Sequence, residues 1–278
     1  MTPVRDLLAT SRPRFWLYLA GPVLVGVTYG AANPNELMTP LIVALFIYFL
    51  VPANVFLYGI NDIFDARIDR LNPKKDTGPE QRYEGDYPTI IAVLFAGLLG
   101  LLILPLLPVA SRPWVAGFLI LGFTYSAPPI RFKTTPILDS VSNGLYIFPG
   151  VAGFVVLAGQ LPPLAIIIGA WAWAMAMHTF SAIPDIVPDR SAGIRTTATV
   201  LGASNALIYC TICWLVATVA FGIVDWRAGM LLAIYPLFSV ILTVLNIDIH
   251  RAYWWYPWIN GAVGMILTIA GLRGLYYA

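Results

Sequence analysis

The sequence predicts an all-α integral membrane protein with nine transmembrane helices. Of its 278 residues, 59% are hydrophobic and only 11% are charged, and the mean hydropathy is +0.79. A soluble protein of this size needs a far smaller fraction of apolar residues. A chain that crosses a hydrocarbon layer about 30 Å thick several times requires a fraction as high as this. No period-2 pattern typical of a β-barrel is visible, so each span should be an α-helix.

Polar segments separate nine apolar runs, most of them near the roughly 17 to 25 residues that a transmembrane helix needs. The predicted spans are 15–32, 40–60, 88–107, 113–128, 137–159, 163–183, 200–221, 228–246 and 256–276. The first run follows Arg5, Arg12 and Arg14 and lacks a small-residue cleavage site, so we expect a retained helix and not a signal peptide. We treat residues 1–278 as a single transmembrane domain, in which the short fourth run needs support from its neighbours.

The distribution of Lys and Arg predicts the orientation of the chain. With the N-terminus inside, thirteen of the 16 basic residues fall in inner segments, and only Arg112, Arg227 and Arg273 fall in outer ones. This positive-inside bias predicts a multi-pass protein of the cell membrane with a cytoplasmic N-terminus. No basic tract indicates nucleic-acid binding. Cys210 and Cys213 lie inside an apolar run without His or acidic neighbours, and we interpret them as packing residues.

A polar stripe begins inside the second apolar run and continues past its end. Seven of the 14 acidic residues lie between Asp62 and Asp86. On a helix, six side chains of this stripe share an arc of about 100°: Asn54, Tyr58, Asn61, Asp62, Asp65 and Asp69. Arg67 and Arg70 point away from this arc, so the carboxylates need an external cation, and oxygen ligands suit Mg²⁺ shared with phosphate. A solvated helix end is the alternative, weakened because the stripe starts within the apolar span.

A second polar cluster, 178–197, closes the sixth apolar run. Asp185 and Asp189 lie one helical turn apart, although Pro184 and Pro188 make an unbroken helix doubtful. By topology, both clusters end at the same membrane face. Two pairs of carboxylates there suit diphosphate chemistry through magnesium, which neutralises the charge that develops as an allylic C–O bond breaks. The candidate phosphate ligands near this face are Arg131, Lys133, Arg190 and Arg195.

Three motifs and one dipeptide occur along the chain in a characteristic order. They are Arg12-Pro13, Asn61-Asp62-x-x-Asp65-x-x-x-Asp69, Tyr125-Ser126-x-Pro128-Pro129-x-Arg131-x-Lys133 and Asp185-x-x-x-Asp189-x-x-x-Gly193-x-x-Thr196. Together they resemble the signatures of the UbiA superfamily of intramembrane prenyltransferases, across the whole chain. The resemblance implies a helical bundle that uses Mg²⁺ to transfer a prenyl group from its diphosphate to a lipophilic acceptor. The acceptor would enter sideways from the membrane lipid.

The resemblance also implies roles for particular residues. The catalytic aspartates, together with one asparagine, would be the magnesium ligands: Asn61, Asp62, Asp65, Asp69, Asp185 and Asp189. Diphosphate contacts would come from Arg12, Arg131, Lys133 and Arg195. Position alone adds further substrate-binding candidates, of which the lone histidine has an equally good interpretation as a packing residue: Asn54, Tyr58, Tyr125, Ser126, Asp139, Asn143, His178 and Arg190.

One departure from the family pattern indicates a branch. This chain has Asn72-Pro73-Lys74-Lys75-Asp76 where many members have an Asn-Arg-Pro run, and this variant, with 180–185 and 193–199, is similar to the lycopene elongase branch. That branch adds five-carbon units to C40 carotenoids, sometimes with hydration, so the resemblance implies lycopene and dimethylallyl diphosphate as substrates. After attack by an alkene, the tertiary cation must lose a proton or capture water. Asp139 and Asn143 are candidates for that step, with helix capping as the alternative for Asp139.

Other functions remain open from the residues alone. A quinone, chlorophyll, haem or glycerol-phosphate precursor is the alternative acceptor, although the lack of surplus pocket cations favours an apolar one. The CDP-alcohol phosphotransferases carry a single Asp-Gly-x-x-Ala-Arg run, which this chain lacks. A cation transporter would place its charges near the bilayer midplane on interrupted helices, whereas here they lie at one face.

Overall fold

A computed structural model describes residues 8–69, 85 and 87–277, with side chains from 67 to 69 left out. Every regular element in these ranges is helical, which confirms the all-α class. In chain order the α-helices are α1 (Trp16–Gly30), α2 (Pro40–Leu50), α3 (Pro52–Asp69), α4 (Tyr87–Ile103), α5 (Arg112–Ser126), α6 (Leu138–Val141), α7 (Phe148–Ala158), α8 (Leu164–Ala182), α9 (Ile186–Ser191), α10 (Thr197–Val224), α11 (Trp226–Leu232), α12 (Ile234–Val244) and α13 (Ile249–Tyr277). Short 3-10 turns occupy Pro13–Phe15, Pro34–Met38, Leu104–Leu106, Phe132–Thr134, Ser142–Ile147 and Ile183–Asp185.

Within the described ranges, seven helical segments are long and apolar enough to cross a membrane. They are Pro40–Ala66, Tyr87–Leu106, Leu138–Ala158, Leu164–Ser191, Thr197–Val224, Trp226–Val244 and Ile249–Tyr277. The other two predicted spans, 15–32 and 113–128, correspond to α1 and α5, which have 15 residues each. A helix of that length rises only about 22 Å, less than the hydrocarbon layer is thick. The prediction of nine spanning helices is therefore not confirmed, whereas a multi-pass membrane protein is indicated.

Prolines break the apolar runs into shorter helices next to both acidic clusters. Helix α2 ends just before Pro52, and α8 ends at Ala182, just before Pro184. A proline lacks the N–H that would continue the helical bonding, and its ring clashes with the preceding turn. The second acidic cluster consequently does not lie on one unbroken helix, because the 3-10 turn Ile183–Asp185 separates α8 from α9.

The chain divides into two compact units. One comprises the described part of Met1–Arg131 with Phe148–Gln160 and Thr268–Ala278, and the other comprises Phe132–Ile147 with Leu161–Leu267. The first acidic cluster lies in the first unit and the second acidic cluster in the second unit. Whether residues 1–278 act as one domain stays a prediction.

In the first unit, α1 packs on α7 with almost no side chain between the two backbones. A Cβ added to Gly26 would lie 1.9 Å from the main-chain oxygen of Gly150, and one added to Gly30 would lie 2.6 Å from that of Phe154. Small residues let membrane helices approach closely and gain van der Waals contact. This packing fixes α1, and Arg12 lies in the short segment directly before that helix.

In the second unit, an aromatic cluster joins α8, α10, α12 and α13. Phe180, Trp214, Tyr235 and Tyr256 are fully buried, and the ring centroids of Phe180 and Tyr256 lie 5.0 Å apart. The Tyr235 hydroxyl donates a 2.9 Å hydrogen bond to Oδ1 of Asn260, so its polar atom is satisfied inside the cluster. The cluster anchors α8, the helix that leads into the second acidic cluster.

The two cysteines behave as the sequence predicts. Cys210 and Cys213 are both buried as free thiols on α10, and the Sγ of Cys210 lies 3.5 Å from the main-chain oxygen of Ala176 on α8. They fill space between two closely packed helices, which is the packing role expected for small, polarizable side chains.

Candidate active site

Helix α3 carries the first acidic cluster on a buried face. Asp62 is 6% exposed and Asp65 is 5% exposed, and Asn54 and Tyr58 are buried on the same helix. Asn61 is half-buried. The predicted stripe therefore lies within the protein and not on a solvated helix end. The helix continues to Asp69, whose side chain lies outside the described residues.

Arg12 pairs with the first of these carboxylates. Its Nη2 atom lies 2.7 Å from Oδ1 of Asp62, and its guanidinium carbon lies 4.7 Å from the centre of the Tyr58 ring. The Tyr58 ring in turn lies 5.9 Å from the ring of Phe15, in the turn after Arg12. A charge-assisted hydrogen bond and a cation–π contact thus hold one guanidinium between two residues of the stripe.

Arg131 pairs with the second carboxylate. Its Nη2 atom lies 2.8 Å from Oδ1 of Asp65, although the residues are far apart in sequence. Arg131 follows α5 closely, and its N–H donates a 3.0 Å bond to the main-chain oxygen of Ala127. The structure therefore brings two predicted diphosphate ligands, Arg12 and Arg131, onto two predicted magnesium ligands.

Asn54 has a structural role at the junction between α2 and α3. Its Nδ2 donates 3.0 Å hydrogen bonds to the main-chain oxygens of Phe49 and Leu50, next to the break at Pro52. These carbonyls lie where the proline interrupts regular helical bonding. The Oδ1 atom of Asn54 is buried without a hydrogen-bond partner among the described residues, so this oxygen remains a candidate contact to the substrate.

The loop resembling the family's intervening motif begins at the end of α5. Tyr125 is half-buried, and Ser126 is fully buried with its Oγ lacking a hydrogen-bond partner within the described part of the chain. Lys133 lies half-buried in the 3-10 turn Phe132–Thr134. Lys133 belongs to the second unit, whereas Arg131 is the last residue of this stretch in the first.

The second acidic cluster straddles the break after α8. Asp185 ends the 3-10 turn and Asp189 lies in α9, and both side chains are half-buried. Helix α9 ends at Ser191, and Gly193 follows two residues later with φ at 71°, a left-handed conformation that favours glycine. The N–H of Ile194 then donates a 2.9 Å bond to the main-chain oxygen of Asp189, which turns the chain toward α10.

The last residue of the second motif, Thr196, stabilises the start of α10 together with Thr199. Thr196 and Thr199 form a reciprocal capping box, in which each side chain accepts a hydrogen bond from the other's main-chain N–H. Arg190 is exposed, and its Nε donates a 3.0 Å bond to the main-chain oxygen of Thr199. Arg195 is also exposed. The structure thus gives Arg190 a partner in the fold, while its predicted contact with substrate is untested.

Asp139 is fully buried and binds the first residue of α10. The Thr197 N–H donates a 2.9 Å bond to Oδ2 of Asp139, and the Thr197 hydroxyl donates to Oδ1. The Nε2 atom of His178 lies 3.9 Å from the same Oδ2. The Asn143 side chain donates to the main-chain oxygen of Asp139 and not to its carboxylate. Asp139 therefore accepts hydrogen bonds at the positive, N-terminal end of α10, and it lies next to His178.

Thr197 is the residue of this site that the sequence did not single out. It lies in the stretch that resembles the family, but its bond to Asp139 joins residues 58 positions apart. The repeated threonines at 196, 197 and 199 were the available signal, because such residues mark helix starts.

Among the described side chains, no three His, Cys, Asp or Glu residues form a metal-binding group. The predicted ligand set spans both acidic clusters and includes Asp69, whose side chain is not described. The segment Asn72–Asp76, and with it Lys74, Lys75 and Arg82, also lies outside the described residues, as does Arg5.

The match to a protein family decides the identity of the fold. A model of the UbiA prenyltransferase family matches residues 19–271, nearly the whole chain. The chain belongs to the UbiA prenyltransferase family. Membership confirms the predicted family and the prediction that the protein is a prenyltransferase. It excludes the cation transporter and the CDP-alcohol phosphotransferase as alternatives.

This UbiA family member is similar to carotenoid enzymes along its whole length. The lycopene elongase/hydratase of Haloarcula japonica is 55% identical, covering 98% of this chain and 92% of that protein. The lycopene elongase/hydratase of Halobacterium salinarum is 53% identical, covering 98% of this chain and 99% of that protein. The homogentisate phytyltransferase of Synechocystis is 27% identical over 73% of this chain and 67% of that protein.

Solved structures share the same fold. A UbiA homologue from Archaeoglobus fulgidus, bound to GPP and Mg²⁺, superposes with a TM-score of 0.73 at 20% identity, covering 97% of this chain and 99% of that one. The same homologue bound to DMAPP and Mg²⁺ gives a TM-score of 0.72 at 19% identity, covering 98% of this chain and all of that one. The UbiA architecture is thereby shown for this chain.

Proposed function

We propose that this prenyltransferase moves a dimethylallyl group from its diphosphate onto an end of lycopene, in the synthesis of C50 carotenoids. The observation that carries this proposal is the 55% and 53% identity to two lycopene elongase/hydratases along almost the entire chain. The relative that acts on an aromatic acceptor by name is only 27% identical and covers less of the chain. This contrast supports a carotenoid acceptor over a quinone precursor.

Magnesium fits the side chains of the first acidic cluster. Asp62 and Asp65 offer hard oxygen ligands, one helical turn apart, on a buried face of α3. Mg²⁺ in phosphate-transfer sites is commonly held by one or two carboxylates together with substrate phosphates, so a protein-only cluster is not required. We assign Asn61, Asp62, Asp65 and Asp69 to one part of this role, and Asp185 and Asp189 to the other. When bound, magnesium supplies charge neutralisation for the departing diphosphate.

The chain's own residues then bind and orient the donor. Arg12 and Arg131 already lie within 3 Å of the carboxylates, so each guanidinium is placed to contact a phosphate bound beside Asp62 or Asp65. The planar guanidinium fork matches phosphate oxygens and stabilises the leaving group's charge. We include Lys133 and Arg195 as further diphosphate contacts on the strength of the motif resemblance.

After the C–C bond forms, the cation on the acceptor must lose a proton to become an alkene or capture water to become an alcohol. We assign this step to His178, with Asp139 as its positioning residue. The Asp139 carboxylate is tied to Thr197, and its Oδ2 lies 3.9 Å from Nε2 of His178. His178 lies on α8, before the 3-10 turn that ends at Asp185, so it lies about 10 Å further into the apolar span than that carboxylate. This depth suits a group that serves the hydrocarbon end of the reaction.

The topology we propose follows from the positive-inside bias of the sequence. The N-terminus and the acidic clusters lie at the cytoplasmic face of the cell membrane, where a soluble prenyl diphosphate is available. The acceptor is a hydrocarbon that dissolves in the membrane interior, so it must enter from the lipid with one end near the carboxylates.

A product-mass assay with the purified protein tests this proposal. Dimethylallyl and geranyl diphosphate would each be paired with lycopene and with homogentisate, in detergent with excess Mg²⁺. We expect a product only when lycopene is paired with dimethylallyl diphosphate. That product should be heavier than lycopene by one or two five-carbon units, with or without added water. Transfer to homogentisate with lycopene unchanged would overturn the carotenoid assignment while leaving the family activity in place.

A further inference from the structure

Both carboxylates described at the first acidic cluster already carry a cation from the chain itself. Arg12 lies 2.7 Å from Asp62 and Arg131 lies 2.8 Å from Asp65, each through one Nη2–Oδ1 pair. The two arginines come from different segments, before α1 and after α5, yet each lies against a carboxylate on neighbouring turns of α3. Direct pairing of this kind is more specific than a general excess of positive charge near the site.

The backbone at both arginines is in a conformation that side-chain-bearing residues rarely adopt. Arg12 has φ at 49° and Arg131 has φ at 47°, both in the left-handed region. For a residue other than glycine this conformation is strained and persists where the surroundings enforce it. Arg12 also precedes Pro13, a position that normally favours extended backbone. The fold therefore holds each guanidinium in place against a local preference.

These charges have opposite effects on the two ligands of the site. A metal ion approaching Asp62 and Asp65 meets two guanidinium groups a few ångströms away, and like charges repel strongly where water is scarce. A diphosphate brings negative charge that attracts the same groups and gives each guanidinium a new partner. Free metal is thus disfavoured, and metal together with diphosphate is favoured.

We propose that Arg12 and Arg131 make magnesium binding depend on the diphosphate, so that the site takes the metal–diphosphate pair and discriminates against the free ion. This inference rests on the proposed metal–diphosphate site and adds its order of selection. Thermodynamic linkage then requires each ligand to raise the affinity for the other by the same factor. Removing either arginine should shift the two affinities in opposite directions.

The test measures binding to the full-length protein in detergent, without an acceptor and without turnover. Mn²⁺ is the metal probe, followed by its electron paramagnetic resonance signal, and pyrophosphate in excess Mg²⁺ is the anion probe, followed by calorimetry. The variants are Arg12→Gln and Arg131→Gln. Arg227→Gln is the control, since Arg227 is exposed and its guanidinium lies over the ring of Trp226. Arg131→Lys keeps the charge and should bind free Mn²⁺ as the wild type does.

We expect each Gln variant to bind free Mn²⁺ about fivefold or more tightly than the wild type, and to bind magnesium pyrophosphate more weakly. Unchanged or weaker Mn²⁺ binding in folded variants would overturn the inference and leave the proposed function standing. If a variant does not fold, the wild type still keeps the inference falsifiable, because it should bind Mn²⁺ at least about fivefold more tightly once a dimethylallyl thiodiphosphate is present. Equal affinities there would also overturn the inference. A wild type that binds neither probe would overturn both this inference and the metal–diphosphate site.

Discussion

The Nη2 atom of Arg131 lies 2.8 Å from Oδ1 of Asp65, although 66 residues separate them in the sequence. This contact joins the loop after α5 to the first acidic cluster on α3, the two segments that the family resemblance links to diphosphate binding. If these carboxylates and cations carry the chemistry, replacing them should change turnover or donor binding.

Replacing Asp65 or Asp185 with Asn should lower turnover about a hundredfold or more, because each change removes a charge that positions the leaving group's counter-ion. Asn has the same shape, so insertion and folding should persist. The measurement is diphosphate release by purified variants, with thermal unfolding as the folding check. Asp248→Asn is the control, an exposed residue that accepts a hydrogen bond from the N–H of His250. Excess EDTA should reproduce the loss and Mg²⁺ should reverse it; near-normal turnover in either Asn variant would contradict the two-motif account.

Lys133→Ala should raise the donor KM about tenfold, because loss of a charged contact to phosphate costs roughly 1.5 to 3 kcal/mol. Arg251→Ala should leave KM within about twofold, since Arg251 is exposed and its charge is explained by topology. Titrating dimethylallyl diphosphate against both variants separates the two roles. Similar KM changes in both would refute the assignment of Lys133 to the diphosphate.

His178→Gln should lower kcat about a hundredfold, or change the ratio of alkene to alcohol products, while leaving the donor KM unchanged, because His178 acts after the donor has bound. The protein has one other histidine, His250, which is exposed, so His250→Gln is the matched control. Product masses and donor titrations together check this prediction. An unchanged kcat and product ratio would show that the 3.9 Å approach of His178 to Asp139 serves packing alone.

Gly26→Ala should destabilise the protein by about 1 to 3 kcal/mol or more, because the added methyl group would lie 1.9 Å from the Gly150 carbonyl oxygen and force α1 from α7. Gly21→Ala adds the same methyl group to the same helix with nothing within 4 Å, and it should be tolerated. Thermal unfolding in detergent compares the two. Equal unfolding temperatures would mean that α1 and α7 separate without penalty.

Much of the fold follows from apolar run length, but the spanning lengths of α1 and α5 do not. Hydropathy locates α1 and α5 correctly and already marks the α5 run as short. It extends α1 beyond its 15 helical residues, because the apolar residues at the ends of that helix are counted as part of the span. Pro184 already made an unbroken helix through the second acidic cluster doubtful from the sequence. Only the structure shows that a 3-10 turn separates α8 from α9.

The site was predictable in composition but not in its pairings. The period of a helix places Asp62 and Asp65 on one face, since both lie in the same element. The partners of these carboxylates, Arg12 and Arg131, come from segments about 50 and 66 residues away, and local pattern carries no information on such contacts. For the same reason the Thr197 bond to Asp139 was missed.

The most direct test of the carotenoid assignment is to produce the protein in cells that accumulate lycopene and to measure their pigments by mass spectrometry. We expect lycopene to be converted to products carrying one and two added five-carbon units, and we expect Asp65→Asn at equal membrane abundance to leave lycopene unchanged. Unchanged lycopene with the wild-type protein, shown to be present and active on an aromatic or quinone precursor, would contradict the carotenoid assignment.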